Sequence, residues 1–203
     1  MRKESNAVAA GTCGVEGGQA ARDLLREYMF VVDCPCGMPA RAPADGDRFR
    51  EALADACGGS PEPLLKALRI GMVRGMVAIA GCAAAAAGHD ALVAALAREL
   101  IGQDVLVLVT AGSRAAVEAA GLLDASGAEL AGTGLADFCG HMDMGPVLFV
   151  AQGGGEAQAA PPEATDPALA GLPAELAAAV SRRITARRLG LGLNDRYDGT
   201  VYS

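Results

Sequence analysis

Short apolar runs alternate with helical patterns along this chain. Met76–Ala80 and Val105–Val109 are continuous apolar stretches, each followed by small residues, Gly81-Cys82 and Thr110-Ala111-Gly112-Ser113. Unbroken apolar runs of this length suit strands buried on both faces, as in a parallel sheet. Between them His89–Ile101 carries a helical pattern. Val8–Ala10, Met29–Val32 and Pro146–Ala151 predict three further strands. Helices are predicted over Ala20–Tyr28, Arg48–Cys57, Arg114–Leu123 and Leu172–Leu189. In the second of these, Phe49, Leu53 and Cys57 fall on one face, and Gly58-Gly59 stops it. Another helix opens at Ser60, with Pro61 in its first turn and Leu64, Leu65, Leu68 and Met72 on its apolar side. Strands alternating with helices predict an α/β, Rossmann-like fold, a mostly parallel sheet with helices on both faces.

Composition narrows the function. Hydrophobic residues make up 52% of the 203, enough for a sizeable core. Alanine supplies much of that fraction, glycine is abundant beside it, and there is no Trp, so the layers pack closely on small side chains. A formal charge of −7 argues against a nucleic-acid partner, which needs clustered Lys and Arg. The basic pairs Arg182-Arg183 and Arg187-Arg188 fit a solvated helix face. No run approaches a membrane span and the first residues lack a signal-peptide core, so a cytoplasmic location without a membrane is expected.

The candidate chemistry lies at strand ends. Six cysteines, at 13, 34, 36, 57, 82 and 139, favour reduced thiols or metal ligands in a cytosolic protein. Cys13, the Cys34/Cys36 pair, Cys82 and Ser113 each follow a predicted strand, where open α/β sheets gather ligands. Thiolates from separate loops are what an iron–sulfur cluster requires. Cys57 and Cys139 read as buried small hydrophobes. Cys139 with His141 forms a Cys-x-His pair that also suits a metal. His89 reads as an exposed or capping residue and Ser113 as a helix cap. The Gly112-Ser113-Arg114 helix start could receive an anion instead. No GxGxxG, GxxxxGK[ST] or GxSxG occurs, which leaves nucleotide and serine-hydrolase readings without support.

FREALADACGGSPEPLLKALRIGMVRGMVAIAGC, from Phe49, resembles the segment leading into a Gly-Cys-Asn-Asn-Pro turn in the nickel–iron–sulfur carbon monoxide dehydrogenases. These enzymes share a superfamily with the hybrid-cluster proteins. ARELIGQDVLVLVTAGSRAAVEAAGLL resembles the family's next helix and strand, with its Thr-Gly-Cys turn. YMFVVDCPCGMPA is similar to the strand ending Gln-Cys-Ile-Met-Pro, and VAAGTCGVE to an Ile-Cys-Cys loop. GPVLFVAQGGG stands where the family has Gly-Ser-Cys, and the helix from Asp166 resembles its carboxyl-terminal helix.

The resemblance implies a protein that oxidises CO with water to CO2 and passes electrons to a ferredoxin-type carrier. It implies Cys13 and Cys36 as ligands of a Ni–Fe–S cluster, with Cys34, Cys82, Cys139 and His141 as lesser candidates. Ser113 and Gly153 replace two of the family's ligand cysteines, Ala83-Ala84-Ala85 replaces Asn-Asn-Pro, and no residue matches the cluster histidine or the acid–base Lys and His groups. A shortened chain with impaired or no activity of its own is therefore expected. Its layout would be a partial middle-type α/β domain at 1–80, a partial C-terminal-type domain at 81–155, a linker at 156–170, and a helix and tail at 171–203. A homodimer or pairing with a full-length relative is expected. The alternatives are a non-catalytic metal- or cluster-binding accessory module and a small-ligand or anion-binding α/β domain.

Overall fold

The computed structural model describes residues 27–33, 46–80, 89–150 and 172–190. In chain order the elements are β1 (Met29–Asp33), α1 (Gly46–Ala56), α2 (Glu62–Ile70), β2 (Gly75–Ala80), α3 (His89–Ile101), β3 (Val105–Val109), α4 (Ala111–Ala119), a 3-10 turn (Ala125–Leu130), α5 (Thr133–Met142), β4 (Val147–Phe149) and α6 (Leu172–Arg188). The strands form one parallel sheet in the order β1-β2-β3-β4. Ala78 stands opposite Val31 on one side and Leu108 on the other, and Val107 opposite Val147. β2, which ends at Ala80, is hydrogen-bonded to β3, so the strands on either side of residue 80 share a sheet.

Met76–Ile79 and Val105–Val109 are completely buried. Both faces of the two central strands are therefore covered, which accounts for their unbroken apolar sequence. Phe49, Leu53 and Cys57 of the α1 stretch, and Leu64, Leu65 and Leu68 of α2, enter the same core. α2 ends where Gly71 turns left-handed at φ 83°. At its start Pro61 occupies the cap position, and the Ser60 hydroxyl accepts the Glu62 N–H at 3.3 Å.

α4 and α6 both pack against α3. α6 buries Leu176, Ala177, Val180 and Ile184, which fall on one helical face. A Cβ on Gly75 would come within 3.0 Å of Ile184 Cδ1, so α6 crosses close over the start of β2. Arginines fasten its end. Arg188 donates to the carbonyls of Leu68, Val73 and Arg74, and Arg74 Nη2 donates to Thr185 Oγ1 at 2.7 Å. Arg187 lies over the Phe30 ring at 4.3 Å. Arg187 and Arg188 stay exposed, as a solvated face predicts, and these contacts also bind the helix to the sheet's amino edge.

Several elements begin or end away from their expected bounds; α1 covers Gly46–Ala56 where Arg48–Cys57 is expected. α4 starts at Ala111, not Arg114, and stops at Ala119. β4 covers only Val147–Phe149. α5 and the 3-10 turn have no counterpart in the expected elements. The strand expected at Val8–Ala10 and most of the helix at Ala20–Tyr28 lie outside the described residues. Among the described residues no helix is long and apolar enough to cross a membrane.

Candidate functional site

Because the four described strands run parallel, their carboxyl ends share one edge. β1 delivers Asp33 there, β2 Ala80, β3 Val109 and β4 Phe149. The turns that follow are where this architecture collects ligands. Of the site candidates, Cys13, Cys34, Cys36 and Cys82 lie outside the described residues, as does Gly153.

β3 runs directly into α4 through Thr110, which is 2% exposed and occupies the cap position without a side-chain cap bond. Ser113 is therefore not the cap. It sits within the first turn, its N–H donating to the Thr110 carbonyl at 2.9 Å. Its side chain is fully buried, and its Oγ has no hydrogen-bond partner among the described residues. An unsatisfied buried hydroxyl carries a desolvation cost of about 1–3 kcal/mol, so it stands out in a native fold. Next to it Arg114 lies over the Phe149 ring at 4.6 Å and meets Glu118 at 3.6 Å.

His89 opens α3 at the same edge. It is 2% exposed, contrary to the exposed or capping role expected of it. Its Nδ1 pairs with Asp90 Oδ1 at 2.9 Å, while Nε2 is buried without a partner among the described residues. Five preceding alanines conceal this placement in the sequence. The usable signal is the neighbouring Asp90, which can hold a ring nitrogen of a buried imidazole.

The other candidates do not converge. Cys139 is fully buried in α5, and its thiol is pushed up to about 11, mainly by burial and further by Cys57 nearby. Cys57 is buried too, and burial raises its thiol as well. Both agree with the small-hydrophobe reading. His141, two residues beyond Cys139, is exposed in the last turn of α5. Residues two apart on a helix point to different sides. Among the described residues no group of three or more His, Cys, Asp or Glu could hold a metal ion.

A Ni–Fe–S cluster needs several soft anionic sulfurs. The described residues do not fit one: the edge offers a hydroxyl at Ser113 and an imidazole at His89, and the two described thiols are protonated core residues.

The chain resembles known proteins over much of its length. A carbon monoxide dehydrogenase of Methanocaldococcus jannaschii is 38% identical over 99 residues, 48% of this chain and 16% of that protein. Carbon monoxide dehydrogenase 1 of Methanosarcina acetivorans is 40% identical over 100 residues, 49% of this chain and again 16% of the relative. The matched stretch thus spans about a sixth of these relatives. A nickel-free carbon monoxide dehydrogenase from Thermococcus sp. AM4 superposes with a TM-score of 0.53 at 23% identity, covering 70% of this chain and 34% of that one, which establishes a shared fold. The Prismane/CO dehydrogenase family pattern matches residues 5–152, and the chain belongs to that family.

Proposed function

We propose that this chain is a carbon monoxide dehydrogenase-type module that has little or no turnover by itself. The reaction class is CO plus water to CO2, two protons and two electrons, the electrons leaving to a ferredoxin-type carrier. Family membership supports the class. The observation that carries the loss of activity is Ser113. A buried hydroxyl without a hydrogen-bond partner among the described residues stands at the end of β3, where the resemblance calls for a thiolate. A serine hydroxyl is a harder and far less acidic donor than a thiol, so it does not replace one at a soft metal. Cys13 and Cys36 are the residues that would contribute to a Ni–Fe–S centre, in a cytoplasmic setting.

The replacement of two ligand cysteines of the resembled family by Ser113 and Gly153 favours a second reading, a non-catalytic accessory module. It would act as a homodimer or paired with a full-length relative, which supplies the missing donors.

The test is anaerobic purification followed by assay of iron, nickel and acid-labile sulfide, and of CO-dependent reduction of a viologen dye. Iron below one cluster per chain without turnover is expected. Stoichiometric nickel and iron with sustained dye reduction by the isolated chain would overturn the proposal. Iron that disappears in Cys36→Ala supports a cluster-binding role.

A further inference from the structure

The amino edge of the sheet, opposite the strand ends described above, carries a groove. It runs along α6 where that helix passes the turn between α3 and β3, and offers about 420 Å³ of open space. Ala178, Ser181, Arg182, Thr185 and Leu189 form one wall, and Gln103 stands across from them. Their spacing places them on one face of α6, beside the face that buries Val180 and Ile184. From Ala178 to Leu189 the helix rises about 16 Å, at roughly 1.5 Å per residue. The wall is low at its small residues, so the backbone of a partner can approach closely.

Positive charge collects along this groove without carboxylates to balance it. Arg182 lines it, is exposed, and makes no ion pair among the described residues. Arg74 reaches the same wall, with Nη2 donating to Thr185 Oγ1 at 2.7 Å and Nη1 to the Gln103 carbonyl at 3.5 Å. Arg188 adjoins it, donating to the Arg74 carbonyl at 3.2 Å. The acceptors that hold these two guanidinium groups are neutral, so their charge is left in place. Glu99 and Glu175, both exposed, belong to the turns before Gln103 and Ala178. The positive charge is therefore concentrated toward Leu189. In a chain of formal charge −7 this local surplus runs against the sign of the whole.

Apolar side chains are exposed at the same end. Among the described residues the exposed large hydrophobics are Ile70, Leu130 and Leu189. Leu189 lines the groove at 67% exposure. Leu130 adjoins the turn across from it, with its carbonyl 4.0 Å from a Cβ placed on Gly102, the neighbour of Gln103. Ile70 precedes Gly71, where a Cβ would lie 3.1 Å from Arg188 Nη2. A single exposed leucine is ordinary, but three large apolar residues gathered around arginines have the make-up of an interface.

We infer that this groove docks an acidic peptide segment of another protein, its carboxylates on Arg74, Arg182 and Arg188 and an apolar residue against Leu189. Charge complementarity selects the sign of the partner. The cations are spread along the groove, so they match carboxylates distributed along a segment rather than one compact anion. Each guanidinium fork takes a carboxylate through two parallel hydrogen bonds. About five residues of extended chain span the length of the wall. A nucleic acid fits less well, because no aromatic side chain lines the groove to stack a base. The groove lies at the opposite edge of the sheet from Ser113, so docking and the proposed reaction class stand or fall separately.

The test uses the full chain and a short fluorescent peptide of alternating Glu and Leu. Anisotropy is measured for this peptide, for the same peptide with Gln in place of Glu, and for a single-stranded oligonucleotide. The acidic peptide should bind, more weakly as salt rises, and the other two should not. Arg182→Glu and Leu189→Ser alter exposed side chains, so both variants should stay folded, and each should weaken binding by about tenfold. NMR signals of Gln103 and Ser181 should shift on binding while those of Ser113 stay in place. No binding of the acidic peptide, equal binding of the Gln peptide, or full binding retained in both variants would overturn the site. An oligonucleotide that binds as tightly as the peptide, or self-association of the free chain that Arg182→Glu abolishes, would overturn the assignment to an acidic segment of another protein.

Discussion

The carboxylate of Asp104 accepts the backbone N–H of Leu135 at 2.9 Å, so a residue at the start of β3 caps a helix that begins 29 positions later. Asp104 holds a left-handed backbone at φ 60°, and its carbonyl accepts the Arg74 N–H at 2.8 Å. One residue thereby ties β2, β3 and α5 together at the amino edge of the sheet. Gly132, the cap position of α5, has no side chain because a Cβ there would collide with that carboxylate. Asp104→Ala should cost about 1–2 kcal/mol, the usual value of a lost helix cap. Gly132→Ala should cost at least as much, because it displaces the cap by steric contact. Urea unfolding of both variants measures this. A native-like midpoint for either one would show that α5 is held by its buried Leu135, Phe138 and Cys139 alone.

The central elements were legible because burial wrote them directly into the sequence. Val105–Val109 and His89–Ile101 have the bounds that their apolar patterns suggest, and the Phe49, Leu53, Cys57 spacing marks the inward face of α1. α5 was not legible. Its sequence, TGLADFCGHM, contains two glycines and takes its cap from a remote aspartate, so local signals say little. The start of α4 was misplaced for a related reason. Ala111-Gly112-Ser113 resembles a turn, yet Thr110 carries the extended backbone of the cap and the helix begins at once. At the edge, the sequence suggests a helix cap for Ser113 and an exposed or capping residue for His89, whereas both side chains are buried. Their burial depends on how two helices meet, which no single stretch of sequence encodes.

Arg188 closes α2 from a distance. Its guanidinium donates to Leu68 O at 3.0 Å, Arg74 O at 3.2 Å and Val73 O at 3.3 Å. These are carbonyls at the end of a helix and the turn that follows, where the regular helical ladder stops; Leu68 O also accepts the Gly71 N–H. Arg188→Ala should destabilise the fold by about 1–2 kcal/mol, less than a fully buried charge-assisted set because the side chain is exposed. Arg188→Lys should restore only part of this, since an ammonium does not span three acceptors as a planar guanidinium does. Limited proteolysis should cut α6 faster in the alanine variant. Equal cleavage rates in wild type and variant would limit the role of Arg188 to surface solvation.

The thiol of Cys139 gives the fold an alkaline limit. Burial pushes it up to about 11 in the native state, whereas an unfolded cysteine titrates near ~8.5. The unfolded chain therefore releases this proton first as pH rises. Between these values the native state binds more protons, and stability falls with increasing pH. Stability from this group is complete below about pH 8.5 and is lost as pH climbs toward 11. Denaturation midpoints measured from pH 7 to pH 10 should decline above pH 8.5, and the decline should be smaller in Cys139→Ala. The native thiol should also resist alkylation at pH 8 while that of the unfolded chain reacts. Rapid labelling of Cys139 under native conditions would contradict its burial.

The proposed loss of a cluster donor at β3 depends on the atom at position 113, so one substitution restores a sulfur there. Ser113→Cys exchanges oxygen for sulfur at a completely buried side chain in the first turn of α4. Sulfur is the larger atom, so a modest loss of stability accompanies the change. A thiol at a helix start is also easier to ionise than one in a core, because the dipole favours the thiolate. Anaerobic reconstitution with iron and sulfide should then load more iron per chain in Ser113→Cys than in wild type. The gain should vanish in the double variant Ser113→Cys, Cys36→Ala if both positions serve one centre. Iron and acid-labile sulfide per folded chain are the measured quantities. If the single variant gains no iron while remaining folded, the oxygen at position 113 is not what limits cluster assembly, and the missing thiolate at position 153 becomes the next substitution to make.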